Sequence, residues 1–476
     1  MLITKRRCII EEETFELLYL NKPLYLFIFL IEGEGTLLYS KGKWLLISFI
    51  IIVFFLFLFS LMQAIKLTKE NFPNDRLMDV NTTNIPKSIR VLVDTANKAY
   101  IEEIAKEYEK SYGINVEITS TDLNNLPQEI VHDFKSNNPK IDVFLIDNIW
   151  IKEFANANYL EPLNKYLNNK LTNQVLPISY SQVIISHDLY TLPEVYAFPL
   201  SIDGKFLYYN EKLLRNIGVY APPKTWEELI KIVTILKENN LTDYGVIWGW
   251  GMGESLVSDY TMLMNAFGGQ FKDSQGNWVF NKDAGLRALE FMAGSVMEQK
   301  LTSPVSLSLS DISAIKEFSS GNIPFMINWS FAAHKFRNNP DIKVARVPGF
   351  KEYQQSSSVI GGSSLGIAQS STNKEWAWKF IEMIKTTKDE IIVSDYTGSS
   401  PVWNDMVGNP LLMQKYSNLS LMTEQFEFAI NRPGIAEYSN WSQVMQKSIS
   451  IALRGETSPK DALDNATKII NDKGIK

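Results

Sequence analysis

Cysteine and histidine are scarce in this chain of 476 residues: one cysteine, Cys8, and three histidines, His132, His187 and His334. A lone cysteine has no partner in its own chain, so no intramolecular disulfide is expected. The histidines share no HxxxH or HExxH spacing, so no transition-metal site is expected either. A basic excess is missing too. Lys and Arg number 47 against 53 Asp and Glu, a formal charge of −6 with no cluster of cations, which disfavours a nucleic-acid partner. There is no P-loop, no GxSxG elbow, no GxGxxG after the first strand-like run and no Cys–His pair. Neither a catalytic residue nor a cofactor is therefore expected. Glycoside hydrolysis needs only two carboxylates, and Asp203 with Glu254 could supply them. Among 53 acidic residues, however, such a pair arises readily by chance.

What is present is a globular composition, 45% hydrophobic and 21% charged, over a length that calls for two or three folding units. The run Trp44–Met62 carries no charge over 19 residues and, as a helix, approaches the ~30 Å bilayer core. Lys41 and Lys43 precede it, which favours an inside N-terminus. It reads as an uncleaved transmembrane anchor. A cleaved signal peptide is the competing reading, and Met62 fits its small-residue rule poorly. No cysteine lies near the end of the run, so a lipid-modified cysteine there is excluded. Residues 1–43 are a cytoplasmic or interfacial segment, or else the start is assigned too early. Residues 63–87, polar and containing Pro73 and Pro86, read as a linker.

From Ile89 the pattern becomes strand, helix, strand, helix, strand. Ile89–Val93, Ile114–Ile118 and Asp142–Ile146 are the strand runs. Between the first two, Ala99, Ile101, Ile104, Ala105, Tyr108 and Tyr112 recur at helical spacing up to Gly113, and a second helix is expected over Pro127–Lys135. This order implies a parallel sheet. Ligand crevices in such sheets lie beyond the carboxyl ends of the strands. Two loops therefore become candidates, Asp94–Lys98 with Thr95 and Asn97, and Asp147–Trp150. Asp94 and Asp147 are equally readable as caps of the turns that follow. Further helix starts are expected at Thr225–Glu228, a capping box, at Thr372–Glu375 and at Ser458–Asp461.

Aromatic placement is the other positive signal. Trp248 and Trp250 lie in a Gly-rich segment, Trp329 follows an apolar run, and Trp403 and Trp441 lie near turns. Indole faces stack on the apolar C–H faces of sugar rings while Asp, Asn and Ser bond the hydroxyls, the chemistry of a site for neutral polyols. Core packing is the alternative for each ring taken singly.

Several blocks, in order, resemble family 1 bacterial extracellular solute-binding proteins, the maltose-binding-protein class. They are Asp142–Asp147 with Trp150 and Leu160–Leu163, then Leu192–Pro193 with Ala197–Pro199 and Tyr208–Lys212. Pro223–Leu229, Phe318–Gly321 with Met326 and Trp329, and Gly361–Ile367 with Ala377–Ile381 follow. Arg432–Pro433, Tyr438 and Ser458–Leu463 complete the series, so that the resemblance spans residues 89–472. It implies a two-lobed α/β fold of the periplasmic-binding-protein type (type II) with discontinuous lobes, behind an N-terminal transmembrane helix. Lobe 1 would hold 88–202 and 363–400, and lobe 2 203–362 and 401–476, with three hinge crossings near Asp203, Gly362 and Ser400.

The same resemblance implies ligand contacts from Thr95, Asn97, Asp147, Trp150, Asp203, Trp250, Trp329, Gly362, Ser363, Trp403 and Tyr438. Asp147 and Asp203 would accept sugar hydroxyls, Trp150, Trp250, Trp329 and Trp403 would stack, and the Gly362–Ser363 backbone would approach the ligand. The expected function is capture of a carbohydrate by a monomer held at the cell membrane with its binding domain outside, and delivery to an ABC transporter permease by lobe closure. A different solute (glycerol phosphate, polyamine or peptide) and an extracytoplasmic carbohydrate-active enzyme are the alternatives.

Overall fold

Strands and helices alternate from the first described residue. The computed structural model describes residues 85–167, 174–186, 193–353, 355–385, 398, 401–404, 409–410 and 419–476. The expected anchor, most of its linker, His187 and the crossing near Ser400 lie outside these. Among the described residues no helix is long and apolar enough to cross a membrane.

The opening pattern folds as its periodicity dictates. Strand β1 (Ser88–Asp94) pairs in parallel with β2 (Asn115–Thr121) and β3 (Val143–Asp147). Helix α1 (Lys98–Tyr112) buries Tyr100, Ile101, Ile104, Ala105 and Tyr108, one face at i, i+3, i+4 spacing. It stops at Gly113, whose φ of 68° is the left-handed cap that glycine takes without strain. Helix α2 (Leu126–Lys135) begins one residue earlier than expected. Helix α3 (Ile151–Asn156) follows β3 through a 3-10 turn at Asn148–Trp150.

Beyond β3 the sheet turns mixed. A small antiparallel pair, β4 (Ile184–Ile185) and β5 (Glu194–Val195), stands apart from it. Two long strands carry the main sheet across the molecule, β6 (Phe198–Asn210) and β10 (Ser358–Ile367). The remaining strands are β7 (Val246–Ile247), β8 (Phe325–Trp329), β9 (Ile342–Ala345) and β11 (Ala429–Ile430). The order is β2-β1-β3-β10-β6-β8-β7, with β9 also on β6 and β11 also on β10.

Both long strands exchange neighbours half-way. Residues Ser363–Ile367 of β10 lie antiparallel to β3, whereas Ser358 and Val359 pair with β11. Phe198–Gly204 of β6 pair with β10, whereas Lys205–Tyr209 pair with β8 and Leu207–Asn210 with β9. The exchange occurs at Ile202–Gly204 opposite Ile360–Gly362, just before a register shift at Ser363/Ser364. There Gly362 has φ 134°, and a Cβ on it would lie 2.3 Å from the Ser201 carbonyl oxygen. Only glycine fits such a close strand approach.

Helices α4 (Trp226–Glu238), α5 (Glu254–Ala266), α6 (Asp283–Met297) and α7 (Asp311–Phe318) follow β6. Helix α8 (Lys374–Glu382) follows β10, and α9 (Tyr438–Leu453) with α10 (Pro459–Asp472) closes the chain. Helices α9 and α10 pack on each other and on α6, and α9 also on α5.

The expected caps are realised in part. Thr225 Oγ1 accepts from Glu228 N at 3.2 Å, but the Glu228 carboxylate takes the Lys224 N–H at 2.8 Å rather than closing the box on the cap residue. Ser458 accepts from Asp461 N with Pro459 first in the helix. Thr372 does not cap: α8 begins after Asn373, whose N–H is taken by Ser371 Oγ at 3.0 Å. A further box, Ser310 with Ser313, opens α7.

Candidate functional site

The carboxyl end of β3 delivers Asp147 and Trp150 to the point where β10 crosses, with Ser363 directly opposite Asp147 in the antiparallel register. Asp147 accepts from Ile149 N at 3.2 Å, so the capping reading holds for it, yet it also stands 4.0 Å from Arg432 Nη2. Arg432 is buried and comes from the loop after β11. Its Nη1 lies 3.2 Å from Glu254 at the start of α5, and its Nε has no hydrogen-bond partner. Glu254 in turn accepts from Tyr438 Oη at 2.8 Å, from Gln446 Nε2 at 3.1 Å and from Ser442. A buried guanidinium is thus shared by two carboxylates from separate elements.

The ionisation of these groups follows from their burial. Desolvation pushes the Asp147 carboxyl up, opposed by Arg432 and reinforced by Glu254 and Asp94. Burial also works against the Arg432 charge, but Tyr438, Asp147 and Glu254 outweigh it and hold the guanidinium above its usual range.

Trp329, at the end of β8, is half-buried. Its Nε1 donates to Asp311 Oδ2 at 2.9 Å, Lys205 Nζ lies 4.6 Å from its ring centroid and Arg432 lies 6.0 Å away. The ring rests on Gly361, where a Cβ would come within 2.8 Å of Cζ3. Lys205 is 0% exposed, held by Asp311 at 2.9 Å, Asp259 at 3.3 Å and Ser255 at 3.1 Å. Burial opposes its charge, and Asp259 and Asp311 more than restore it. The Asp259 carboxyl is pushed up to about 7 by burial, with Lys205 pulling the other way.

The other expected positions divide into two groups. Thr95 and Asn97 follow β1, beside the end of β3. Thr95 is exposed and bonds the Thr121 carbonyl at 3.0 Å, while Asn97 Nδ2 is folded onto Asp94 at 2.7 Å and its Oδ1 has no partner. Ser363 Oγ meets Ser201 Oγ at 2.9 Å. Asp147, Trp329, Ser363 and Tyr438 therefore share one neighbourhood, joined through Arg432, Glu254 and the β3–β10 pairing.

Trp250 and Trp403 are buried in aromatic packing, whereas Asp203 lies opposite Gly361, on which Trp329 rests, with one oxygen already engaged. Trp250 is 1% exposed, stacked on Trp248 at 4.7 Å, with Trp248 stacked on Trp226 at 5.9 Å. The Gly-rich segment brings these rings into a dry core because its glycines let backbone pass close: a Cβ on Gly249 would lie 2.8 Å from Asp311 N. Trp403 is buried against Phe198 at 5.7 Å, and Trp441, noted in the sequence but not proposed as a contact, stacks on Trp278 at 6.0 Å. Asp203 is buried, and its Oδ1 takes the N–H groups of Gly204 and Ser330, both at 2.7 Å, as well as the Ser330 hydroxyl. Burial pushes its carboxyl up to about 6.

The sequence profile described as bacterial extracellular solute-binding protein matches residues 94–391, more than half of the chain. This chain belongs to that family. Among its relatives, a maltotriose-binding protein of Pyrococcus abyssi is 27% identical over 279 residues, 56% of either chain. A maltooligosaccharide ABC transporter solute-binding lipoprotein of Streptococcus pneumoniae is 21% identical over 410 residues, 84% of this chain and 91% of that one. The maltose-bound structure of MalE3 from T. maritima superimposes with a TM-score of 0.73 at 25% identity, covering 81% of this chain and 99% of the other. The mixed sheet and flanking helices are thus those of the MalE-type, two-lobed solute-binding proteins. The Asp142–Asp147, Pro223–Leu229 and Phe318–Trp329 blocks fall inside the matched range.

Arg432, Glu254, Asp311 and Lys205 give this neighbourhood most of its charge, and the sequence pointed to them only weakly. Arg432 appeared as half of an Arg–Pro pair, Glu254 as one chance carboxylate among many, and Lys205 only as a lysine two residues after Asp203. Asp311 carried no signal beyond following Ser310.

Proposed function

We propose that this family member captures a carbohydrate between its two lobes and hands it to an ABC transporter permease when the lobes close. The observation that carries this reading is Trp329: a half-buried indole, pinned by Asp311, with the shared Asp147–Arg432–Glu254 cluster on the same side. A ring held that way offers a stacking face, and the carboxylates offer acceptors for hydroxyls. The ligands named for the Pyrococcus and Streptococcus relatives, maltotriose and maltooligosaccharides, are of this chemical class. Asp147, Trp329 and Ser363, with Thr95 and Asn97 at the rim, are the proposed contacts, and Trp150 and Tyr438, both buried, are proposed to back them.

The lobes proposed are 88–202 with 363–400 and 203–362 with 401–476. The exchange of strand partners at Ile202–Gly204 and Ile360–Gly362 supports that division. Trp44–Met62 is the proposed membrane anchor, which would place the binding unit outside the cell as a monomer. An anionic ligand such as glycerol phosphate is disfavoured, because Arg432 and Lys205 each already serve two carboxylates.

The test is a thermal-shift screen of the full chain in detergent against sugars, glycerol phosphate, polyamines and peptides. A rise in melting temperature with a saccharide alone, recovered intact by mass spectrometry after long incubation, is the expected result. A rise confined to one of the other classes, or conversion of the sugar, overturns the reading.

A further inference from the structure

The stretch 431–439, which runs from the end of β11 into the first turn of α9, reaches three times toward elements of the first sheet half. Asn431 Oδ1 accepts from Gln182 Nε2 at 3.1 Å, and Gln182 is bonded to Asn148, which accepts from Ser364 Oγ at 2.6 Å. Arg432 stands 4.0 Å from Asp147. Ser439 gives both its N–H, at 2.9 Å, and its hydroxyl, at 2.8 Å, to the Glu153 carboxylate. Glu153 sits on α3, directly after β3, whereas α9 packs on α5 and α6. The third contact is a helix cap supplied from a remote part of the chain. A carboxylate accepts from the first turn of a 16-residue helix, where free N–H groups and the helix dipole favour negative charge.

Each of these contacts joins two protein groups, and Glu153, Gln182, Asn431 and Ser439 lie outside the proposed set of sugar contacts. We propose that they form a clasp that holds the two lobes together before any ligand arrives, with Glu153 as its principal positioning residue. The inference rests on the lobe division given above. Arg432 ties the clasp to the binding site, because its hold on Asp147 occupies the same carboxylate that a sugar hydroxyl would use. Ligand entry then exchanges that contact for the sugar while the Glu153–Ser439 cap persists. Affinity is in this way set partly by residues that never touch the ligand, through the fraction of molecules already closed.

The test reads the distance between the lobes directly. The full chain in detergent, in a Cys8→Ser background, carries donor and acceptor dyes on S111C in α1 and E317C in α7, both exposed positions. In the absence of sugar, Glu153→Ala is expected to lower energy transfer relative to the parent, showing a more open population. Glu153→Gln, which keeps an acceptor oxygen, restores part of it. Ser439→Ala, which removes the hydroxyl but leaves the N–H, gives a smaller loss and serves as the second variant if Glu153→Ala folds poorly. Against a sugar found in the screen, Glu153→Ala weakens affinity by about threefold to tenfold, chiefly through faster release. Equal energy transfer in the parent, Glu153→Ala and Ser439→Ala overturns the clasp. The energy-transfer readings need no ligand, so a screen in which no sugar binds defeats the carbohydrate reading and leaves this result standing.

Discussion

Trp250 and Trp329 are built on the same chemistry and end in different surroundings. Each indole N–H donates to an aspartate, Trp250 to Asp259 at 3.1 Å and Trp329 to Asp311 at 2.9 Å, and both aspartates hold the one buried Lys205. The rings differ in what covers their faces. Trp248 lies flat against Trp250, and Trp226 backs Trp248, so that ring is sealed among other indoles. Trp329 has Gly361 and the Lys205 ammonium beside it and remains half-buried. A polar anchor on an indole therefore does not distinguish a core ring from a candidate stacking ring. The covering of its π-face does.

The strongest way to break the comparison is to remove the cation common to both rings. Lys205→Met leaves Asp259 and Asp311 facing each other without a counter-ion and is expected to cost on the order of 5 kcal/mol of stability at pH 8, read by urea titration. Asp259 titrates near 7 in the folded chain against 3.8 as its ordinary value. Between those values the native state keeps a proton that the unfolded chain has released. That contribution to stability is full below about pH 4 and is lost as pH rises through about 7. Loss of Lys205 pushes the Asp259 carboxyl further up, so the deficit of the variant should shrink at pH 5. A deficit that grows on acidification would show that Asp259 does not titrate this way.

Next in size is Trp250→Ala, which empties a sealed aromatic cluster and should cost about 3–5 kcal/mol of stability by the same measurement. Its affinity for ligand, where the variant is folded, should match the parent. The counterpart, Trp329→Ala, should lose little stability while weakening sugar binding by about 1–3 kcal/mol, roughly tenfold to a hundredfold by calorimetry. If the two variants exchange roles, losing stability at 329 and affinity at 250, the distinction by ring covering is wrong. The smallest effect is expected at Gly361→Ala. Its new methyl would press on the edge of Trp329, tilting the ring and weakening affinity on the order of threefold, with under about 1 kcal/mol of stability lost. Unchanged affinity would mean that the ring position is not critical.

The same contrast sets how much could be read in advance. Periodicity gave α1, β1 and β3 to within a residue, because each buries one face or both against a local neighbour, whereas the largely exposed β2 runs three residues past its expected end. Asp147 and Trp329 were legible as site candidates because each ends a strand-like run. Trp250 and Trp403 were candidates on another ground, Trp403 by lying near a turn and Trp250 by glycines that suggested a loop. In the fold those glycines serve backbone contact beneath buried rings. Asp203 looked like a free carboxylate at a crossing, but the Ser330 backbone and hydroxyl, 127 positions on, claim one of its oxygens. Asp259 carried a signal that went unread. It is an acid within a helix buried along almost its whole length, which implies a buried partner.

By itself the sequence determined the α/β order, the family to which the chain belongs and the strand ends near which a site forms. These depend on local spacing and on the order of short blocks, which survive without knowledge of long-range contacts. Only the tertiary structure decided which tryptophans are sealed, and that Lys205 and Arg432 are each divided between two carboxylates. It alone showed that residues 431–439 reach back to Gln182, Asp147 and Glu153. Charges and rings far apart in the chain interact over a few ångströms, and only the packing of β6 and β10 across the sheet sets those distances.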